Sequence, residues 1–265
     1  VTLIIGIKCK DGIVMGADGA ATLGAMGQRT ILQPMKKLEV ISNSIILGVS
    51  GPVGLGQRFK GEIQSVWEEK KLSGKKPFEG MTILRQAIWK HAQMEWKAAA
   101  LTRPAIGSLA IESVACQSII ALPVSKQPCL FQFDHQCAPE EATEHLPFVS
   151  IGRGQNIADP FLAFLRRIFW PVKVPSLVSG IFATVWTLEH AIKTNPGGVA
   201  NPKQIVTLQK TNGNWQAREL PNEELEEHIE ASARAERHLA DFQRIMSTKE
   251  QIADEKIFVP EPKRS

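Results

Sequence analysis

A threonine at the second position, Thr2, an aspartate closing the second apolar run, Asp18, and a lysine pair opening a later one, Lys36-Lys37, are residue types that together can activate a hydroxyl. A threonine hydroxyl is a poor nucleophile at neutral pH and needs a base beside it. A free main-chain amine has a reference pKa of about 7.7–8.0, close to working pH, so a terminal threonine can take up its own proton directly or through one water. Thr2 lies one bond from the amino end and can become that terminal residue. These are the parts of a hydrolase whose nucleophile carries its own base.

The elements that must position them follow from the pattern. The runs 2–9 and 13–19 read as apolar strands around Lys10-Asp11-Gly12, a hairpin signal in which Gly12 is expected to accept positive φ. Strands follow at about 38–42 and 45–50. Gly51-Pro52-Val53-Gly54-Leu55-Gly56 then turns sharply into a helical segment reaching about Leu72. This corner lacks the Gly-Lys-Ser/Thr ending of a phosphate loop; it reads as a tight strand-to-helix turn that brings main-chain amides close to something. A second helix, about 79–100, places Ile83, Ala87, Ile88, His91 and Met94 at helical spacing. Strands return at about 114–123, 128–133 and 147–151, then helices at 156–169 and 176–193, then strands at 203–210 and 214–219. Paired helices between groups of strands predict an α+β fold with two sheets and a helical layer on each outer side, not alternating βαβ units.

Beyond Leu220 the composition shifts. Pro221-Asn222 followed by Glu223, Glu224, Glu226 and Glu227 predicts a helix with an Asn cap and acids at its positive end, running to about Met246 with Leu225, Ile229, Leu239, Phe242 and Ile245 as a loose apolar stripe. The expected division is therefore 1–220 for the hydrolase domain and 221–265 for a C-terminal helix and mobile tail. Residues 221–265 carry net charge −4, leaving +8 on the rest.

A net charge of +4 without a basic tract interleaved with aromatics gives no ground for nucleic-acid binding. Cys9, Cys116, Cys129 and Cys137 show no CxxC spacing and read as reduced thiols. His135, Cys137, His145 and Cys129 are too irregularly spaced for a zinc set, so no metal and no cofactor is expected. No secretion signal is read at the start, and the longest apolar stretch, Ser176 to Trp186, is too short to span a bilayer; a cytoplasmic location without membrane contact is expected.

Taken together these motifs resemble the proteasome β-subunit superfamily over roughly residues 2–220. Thr2 through Gly6 matches its mature start, Lys10 through Asp18 its hairpin and acid, Lys36-Lys37-Leu38 its lysine-lysine-hydrophobic element, and Ser50-Gly51-Pro52-Val53-Gly54 its small-Gly-x-x-Gly corner. Ser150-Ile151-Gly152-Arg153-Gly154 resembles the later Gly-x-Gly loop, and Asn195-Pro196-Gly197-Gly198 the glycine pair. Bacterial relatives of this kind include the HslV type and the beta-proteobacterial proteasome homologue, and the long C-terminal extension looks more like the latter.

The resemblance implies a four-layer αββα sandwich and a threonine-type endopeptidase. Its subunits would form a homo-oligomer of stacked rings, a tetradecamer or dodecamer, that cleaves unfolded polypeptides delivered by a separate AAA+ unfoldase. It implies Thr2 as nucleophile, Lys37 as the cation that lowers the amine pKa and assists deprotonation, Asp18 as its charge partner, and the Gly51 amide as oxyanion donor. By the same register Ala21, Met35, Val49 and Val53 line the substrate pocket, small and apolar, with Glu39 near its floor.

Two positions depart from the pattern: Arg153 stands where the family usually has serine, and Asn195 or Thr194 where it usually has aspartate. A cation near the terminal amine would lower its pKa further and weaken it as a base. Val1 also intervenes, since while it remains the Thr2 nitrogen is an amide. The preferred reading is a GTG start written literally, its methionine removed; a one-residue propeptide or a blocked chain are the alternatives. The rival functions are a small-amide hydrolase of the same chemistry and a catalytically silent ring-forming scaffold or regulator.

Overall fold

The computed structural model describes residues 2–23, 31–106, 114–194 and 198–247. One antiparallel sheet takes the order β10 (Phe148–Ile151), β1 (Ile4–Cys9), β2 (Gly12–Ala17), β11 (Gln204–Thr211), β12 (Asn214–Glu219). The other takes β5 (Leu38–Ile41), β6 (Ile45–Ser50), β7 (Gln117–Val124), β8 (Gln127–Phe133), β9 (Pro139–Glu141). A two-stranded ribbon, β3 (Ala20–Leu23) with β4 (Ile31–Pro34), stands apart from both. The helices are α1 (Val53–Glu68), α2 (Pro77–Ile106), α3 (Gln155–Phe169), α4 (Leu177–Thr194) and α5 (Asn222–Ser247).

Strand alternation sorts the core into three slabs, because successive side chains leave opposite faces of a sheet. In β1, Ile5 and Ile7 pack with Leu162, Leu165, Ala183 and Leu188 of α3 and α4, while Ile4 faces the other sheet. In β7, Ile120 and Leu122 pack with Phe59, Ile63, Leu84 and Ile88 of α1 and α2, while Ile119 and Ala121 turn inward against Val206 and Leu208. Apolar residues on both faces of the central strands make the molecule a four-layer αββα sandwich, as the grouping of helices predicts.

Four details differ from the sequence reading. Gly12 is not among the positive-φ glycines. Cys9 pairs with Gly12 across a Lys10-Asp11 turn, and an added Cβ on Gly12 would lie 2.4 Å from the Leu208 carbonyl oxygen, so close approach of β11 sets the requirement. The run 13–19 breaks at Asp18, whose carboxylate accepts the Ala20 N–H at 3.2 Å, an Asx-type turn that redirects the chain into β3. The short strands β3, β4 and β9 have too little alternation to be read beforehand. The buried face of α2 is Leu84, Ile88 and Ala92, and Met94 is exposed.

Asp11 links the first hairpin to α4: its Oδ1 accepts the Leu177 N–H at 2.8 Å, satisfying one of the open donors of that helix start. The amino half of α5 joins the core through Leu225 and Ile229, and Glu236 accepts the Trp186 indole N–H at 3.1 Å. Leu239, Phe242 and Ile245, farther along the expected stripe, are exposed. No helix among the described residues is long and apolar enough to cross a membrane.

Candidate active site

The site forms where both sheets meet the start of β1. Asp18, at the end of β2, is completely buried and accepts four hydrogen bonds. Its Oδ1 takes the Lys37 ammonium at 2.6 Å and the Leu3 N–H at 2.8 Å. Its Oδ2 takes the N–H groups of Ala20 at 3.2 Å and Ala200 at 3.4 Å. In return the Asp18 N–H donates to the Leu3 carbonyl at 3.2 Å. One carboxylate therefore fixes the residue bonded to Thr2, the lysine and the loop before β11.

Lys37 enters from the other sheet. Its side chain is 5% exposed, so this is a buried ion pair with little screening by water. Burial pulls the ammonium below the ordinary lysine pKa, and Asp18 beside it opposes that shift. Lys36, its neighbour in sequence, points outward to Glu219 at 2.8 Å. The two lysines thus separate into one interior and one surface group.

Thr2 is gripped through its carbonyl, which accepts the Gly154 N–H at 3.2 Å. Gly152, with φ +90°, brings its Cα against the same carbonyl: a Cβ there would sit 2.2 Å from the Thr2 oxygen and 3.1 Å from Ser50 Oγ. The Gly152 N–H donates to Gln117 Oε1 at 3.2 Å, and Gln117 is the ladder partner of Ser50. Ser50 and Gly51 therefore stand across this loop from Thr2. Gly51 has φ +150°, and a Cβ on it would lie 2.7 Å from the Ala115 carbonyl oxygen. The corner accepts only glycine without movement.

Beneath the loop, Ser150 Oγ donates to Asp159 Oδ1 at 2.5 Å and Gln155 Nε2 donates to Asp159 Oδ2 at 3.0 Å, tying β10 to the first turns of α3. Arg153 is exposed at the loop tip. The Thr194 hydroxyl donates to the His190 carbonyl in its own helix at 2.7 Å, and Asn195 lies outside the described residues, as does Val1.

Of the expected pocket residues, Val49 is half-buried beside α1, and Val53 and Met35 are exposed. The Met35 N–H is held by the Gly19 carbonyl at 2.8 Å. Ala21 lies in β3, paired with Gln33. Glu39 is engaged by Lys60 of α1 at 2.9 Å. Sequence reasoning missed Gln117, Asp159, Ala200 and Gln204. Each arrives through pairing between distant segments and carries no local signature, apart from a glutamine heading the otherwise apolar run Ile205-Val206.

Cysteine chemistry has no foothold beside this site. Burial pushes Cys116 up to about 12 and Cys129 and Cys137 to about 11, and raises Cys9 as well. A raised pKa keeps the thiol protonated, so thiolate appears only as pH climbs toward those values. The expected result with a thiol-exchange reagent at pH 8 is no rapid reaction of the native protein and reaction of all four thiols after denaturation. Fast native release from even one thiol contradicts this. Among the described residues no three His, Cys, Asp or Glu side chains converge as a metal-holding group.

By sequence, the chain matches the protein-family description "Proteasome subunit" over residues 2–165. No curated protein matches it. Among solved structures it is similar to Anbu, described as an ancestral beta-subunit, from Yersinia bercovieri, at 12% identity and TM-score 0.66 over 91% of this chain and 97% of that one. The Anbu (Gly-1) mutant from Hyphomicrobium sp. strain MC1 gives 15% identity and TM-score 0.66 over the same shares. The helical assembly of the Anbu complex from Pseudomonas aeruginosa gives 12% identity and TM-score 0.65 over 91% and 95%. At such identities the likeness is one of fold.

Proposed function

The chain belongs to the proteasome subunit family, and from that premise we propose that it is a threonine-type endopeptidase acting on unfolded polypeptides from within a homo-oligomeric particle. The observation that carries the reading is the buried Asp18 carboxylate, one oxygen of which takes both the Lys37 ammonium and the Leu3 N–H next to Thr2. With Val1 absent, the Thr2 amine accepts the hydroxyl proton as Oγ attacks the scissile carbonyl. The Gly51 N–H receives the oxyanion, an interaction commonly worth about 2.7–4 kcal/mol in the barrier. The amine then protonates the departing peptide amine, and water hydrolyses the ester left on Thr2. Lys37 lowers the amine pKa and favours loss of the hydroxyl proton; Asp18 keeps Lys37 in place. Ala21, Met35, Val49 and Val53 receive an apolar side chain before the scissile bond. The division into a 1–220 hydrolase domain and a 221–265 appendage belongs to the same proposal.

Particle geometry is part of the reading: stacked rings fed by a separate unfoldase, in the cytoplasm. Sedimentation and negative-stain imaging separate rings from an assembly like the helical one of the Pseudomonas relative.

A silent scaffold is the second reading. It is favoured by the exposed Arg153 and by the Thr194 hydroxyl being committed to its own helix. A threonine-directed epoxyketone distinguishes the two. The protease reading requires a covalent adduct on Thr2, an intact mass showing the chain to begin at that residue, and loss of the adduct in Thr2→Ala. Absence of any adduct on a chain beginning at Thr2 leaves the scaffold.

A further inference from the structure

We infer that Gln204 is a positioning residue for the Lys37 ammonium, holding it on Asp18 by completing the open edge of β5 where that strand begins, at the residue after Lys37. The inference deepens the reading of Thr2, Lys37 and Asp18 as catalytic machinery and rests on it for its consequence.

Gln204 is the first residue of β11, buried, and the ladder partner of Ala17, which immediately precedes Asp18. Its main chain thus belongs to the sheet that supplies the carboxylate. Its side chain crosses to the other sheet. Oε1 accepts the N–H of Lys37 at 3.0 Å and of Leu38 at 2.9 Å, and Nε2 donates to the Leu38 carbonyl at 2.9 Å.

Among the described residues β5 lies at the edge of its sheet, with β6 as its one ladder partner. The peptide groups at its outer edge need another source of hydrogen bonds. The carboxamide of Gln204 has the donor and acceptor of a peptide unit and takes the place of the missing strand at that point. From the clamped peptide the Lys37 side chain runs to Asp18 Oδ1 at 2.6 Å. Asp18 is covalently next to the ladder partner of Gln204. Both ends of the ion pair are therefore referenced to one residue, the carboxylate through its main chain and the cation through its side chain, and a shift of the Gln204 carboxamide moves the cation relative to Thr2.

A purely structural role would lower stability and leave the chemistry of Lys37 unchanged. Competitive labelling of lysines with acetic anhydride across pH, read peptide by peptide by mass spectrometry, reports the reactivity and titration of Lys37 without requiring turnover. It is applied to the assembled protein and to Gln204→Leu and Gln204→Glu, with melting temperature and sedimentation recorded alongside.

In Gln204→Leu, Lys37 is expected to become about tenfold or more reactive and to titrate nearer an ordinary lysine. Epoxyketone labelling of Thr2 is expected to slow by about 10- to 100-fold while the reagent's binding constant holds, the cost typical of misplaced reacting groups. Gln204→Glu reproduces the amide only when its carboxyl is protonated, so its labelling rate relative to the unaltered protein should climb as pH falls. Should Gln204→Leu fail to assemble, Gln204→Glu carries the test. An unchanged Lys37 profile in a folded variant overturns the inference. Failure of the unaltered protein to label at Thr2 overturns the hydrolase reading instead, while the lysine profile still decides the role of Gln204.

Discussion

Asp18→Ala is expected to destabilise the subunit by about 3–5 kcal/mol and to abolish labelling at Thr2, because it strands a buried ammonium without its counter-charge. The carboxylate also satisfies three main-chain N–H groups, those of Leu3, Ala20 and Ala200, so its removal opens further unpaired donors in the same place. For a chain of this size the loss corresponds to a fall in Tm of roughly 6–20 °C. A double variant, Asp18→Leu with Lys37→Met, separates the two consequences. Replacing a buried pair by apolar side chains is often neutral, so much of the stability is expected back while labelling stays absent. If the single variant melts within a degree or two of the unaltered protein, the pair is not buried as described.

The pH dependence carries a definite sign. Burial lowers the folded pKa of Lys37 below its ordinary 10.5. Between the depressed value and 10.5 the unfolded chain binds more protons there than the folded one, so this group's contribution to stability improves as pH rises through that window. In Asp18→Ala the opposing carboxylate is gone, the folded pKa falls further, and the window extends downward. A urea series between pH 7 and 9.5 should therefore show the variant's deficit shrinking with pH. A deficit constant across that range would mean that Lys37 keeps its proton equally in both folded proteins, and contradicts the further fall of its pKa in the variant.

Gly152→Ala is expected to be the most damaging single-atom change at the site. The new Cβ would sit 2.2 Å from the Thr2 carbonyl oxygen, which is main chain and cannot rotate aside. The residue also holds φ +90°, where a side chain adds strain of about 1–3 kcal/mol. The loop or the amino end must therefore move, and a displacement of about 1 Å between reacting groups can cost 10²-fold in rate. Thr2 labelling should fall by about that factor or more in subunits that a melting curve shows to be folded. As a contrast, an added Cβ at Gly54 meets nothing within 4 Å, so Gly54→Ala should leave labelling within about twofold. Equal losses in the two variants would mean that Thr2 is not held through this contact.

The order of helices and strands was legible because the central strands are apolar runs punctuated by turn residues, and the helices come in pairs. Thr2, Asp18, Lys37 and Gly51 were legible as candidates for a similar reason: they fall within fifty residues, each at the end of a recognisable run. What joins them was not. Gln204 reaches Lys37 across 167 positions, and Ala200 reaches Asp18 across 182. Such contacts follow from sheet closure, to which local pattern is blind. Gly12 illustrates the same limit within a correct hairpin: its residue type was noticed, but the reason for it, the carbonyl of Leu208, lies on a strand nearly two hundred residues away. The face of α2 was legible only in part: Ile83, Ala87 and Ile88 do pack on the core, but the spacing also admits Leu84 and Ala92, which are buried, while Met94 is exposed.

The position of β1 bears on when the molecule can act. β1 lies not at a sheet margin but between β10 and β2, with the Ala200 amide also needed to complete the coordination of Asp18. During synthesis β1 leaves the ribosome well before β10 and the segment that carries Ala200. Topology alone thus acts as a timer: in a nascent or truncated polypeptide the arrangement of Thr2, Asp18 and Lys37 cannot close until the segments carrying Gly154, Ala200 and Gln204 have been made.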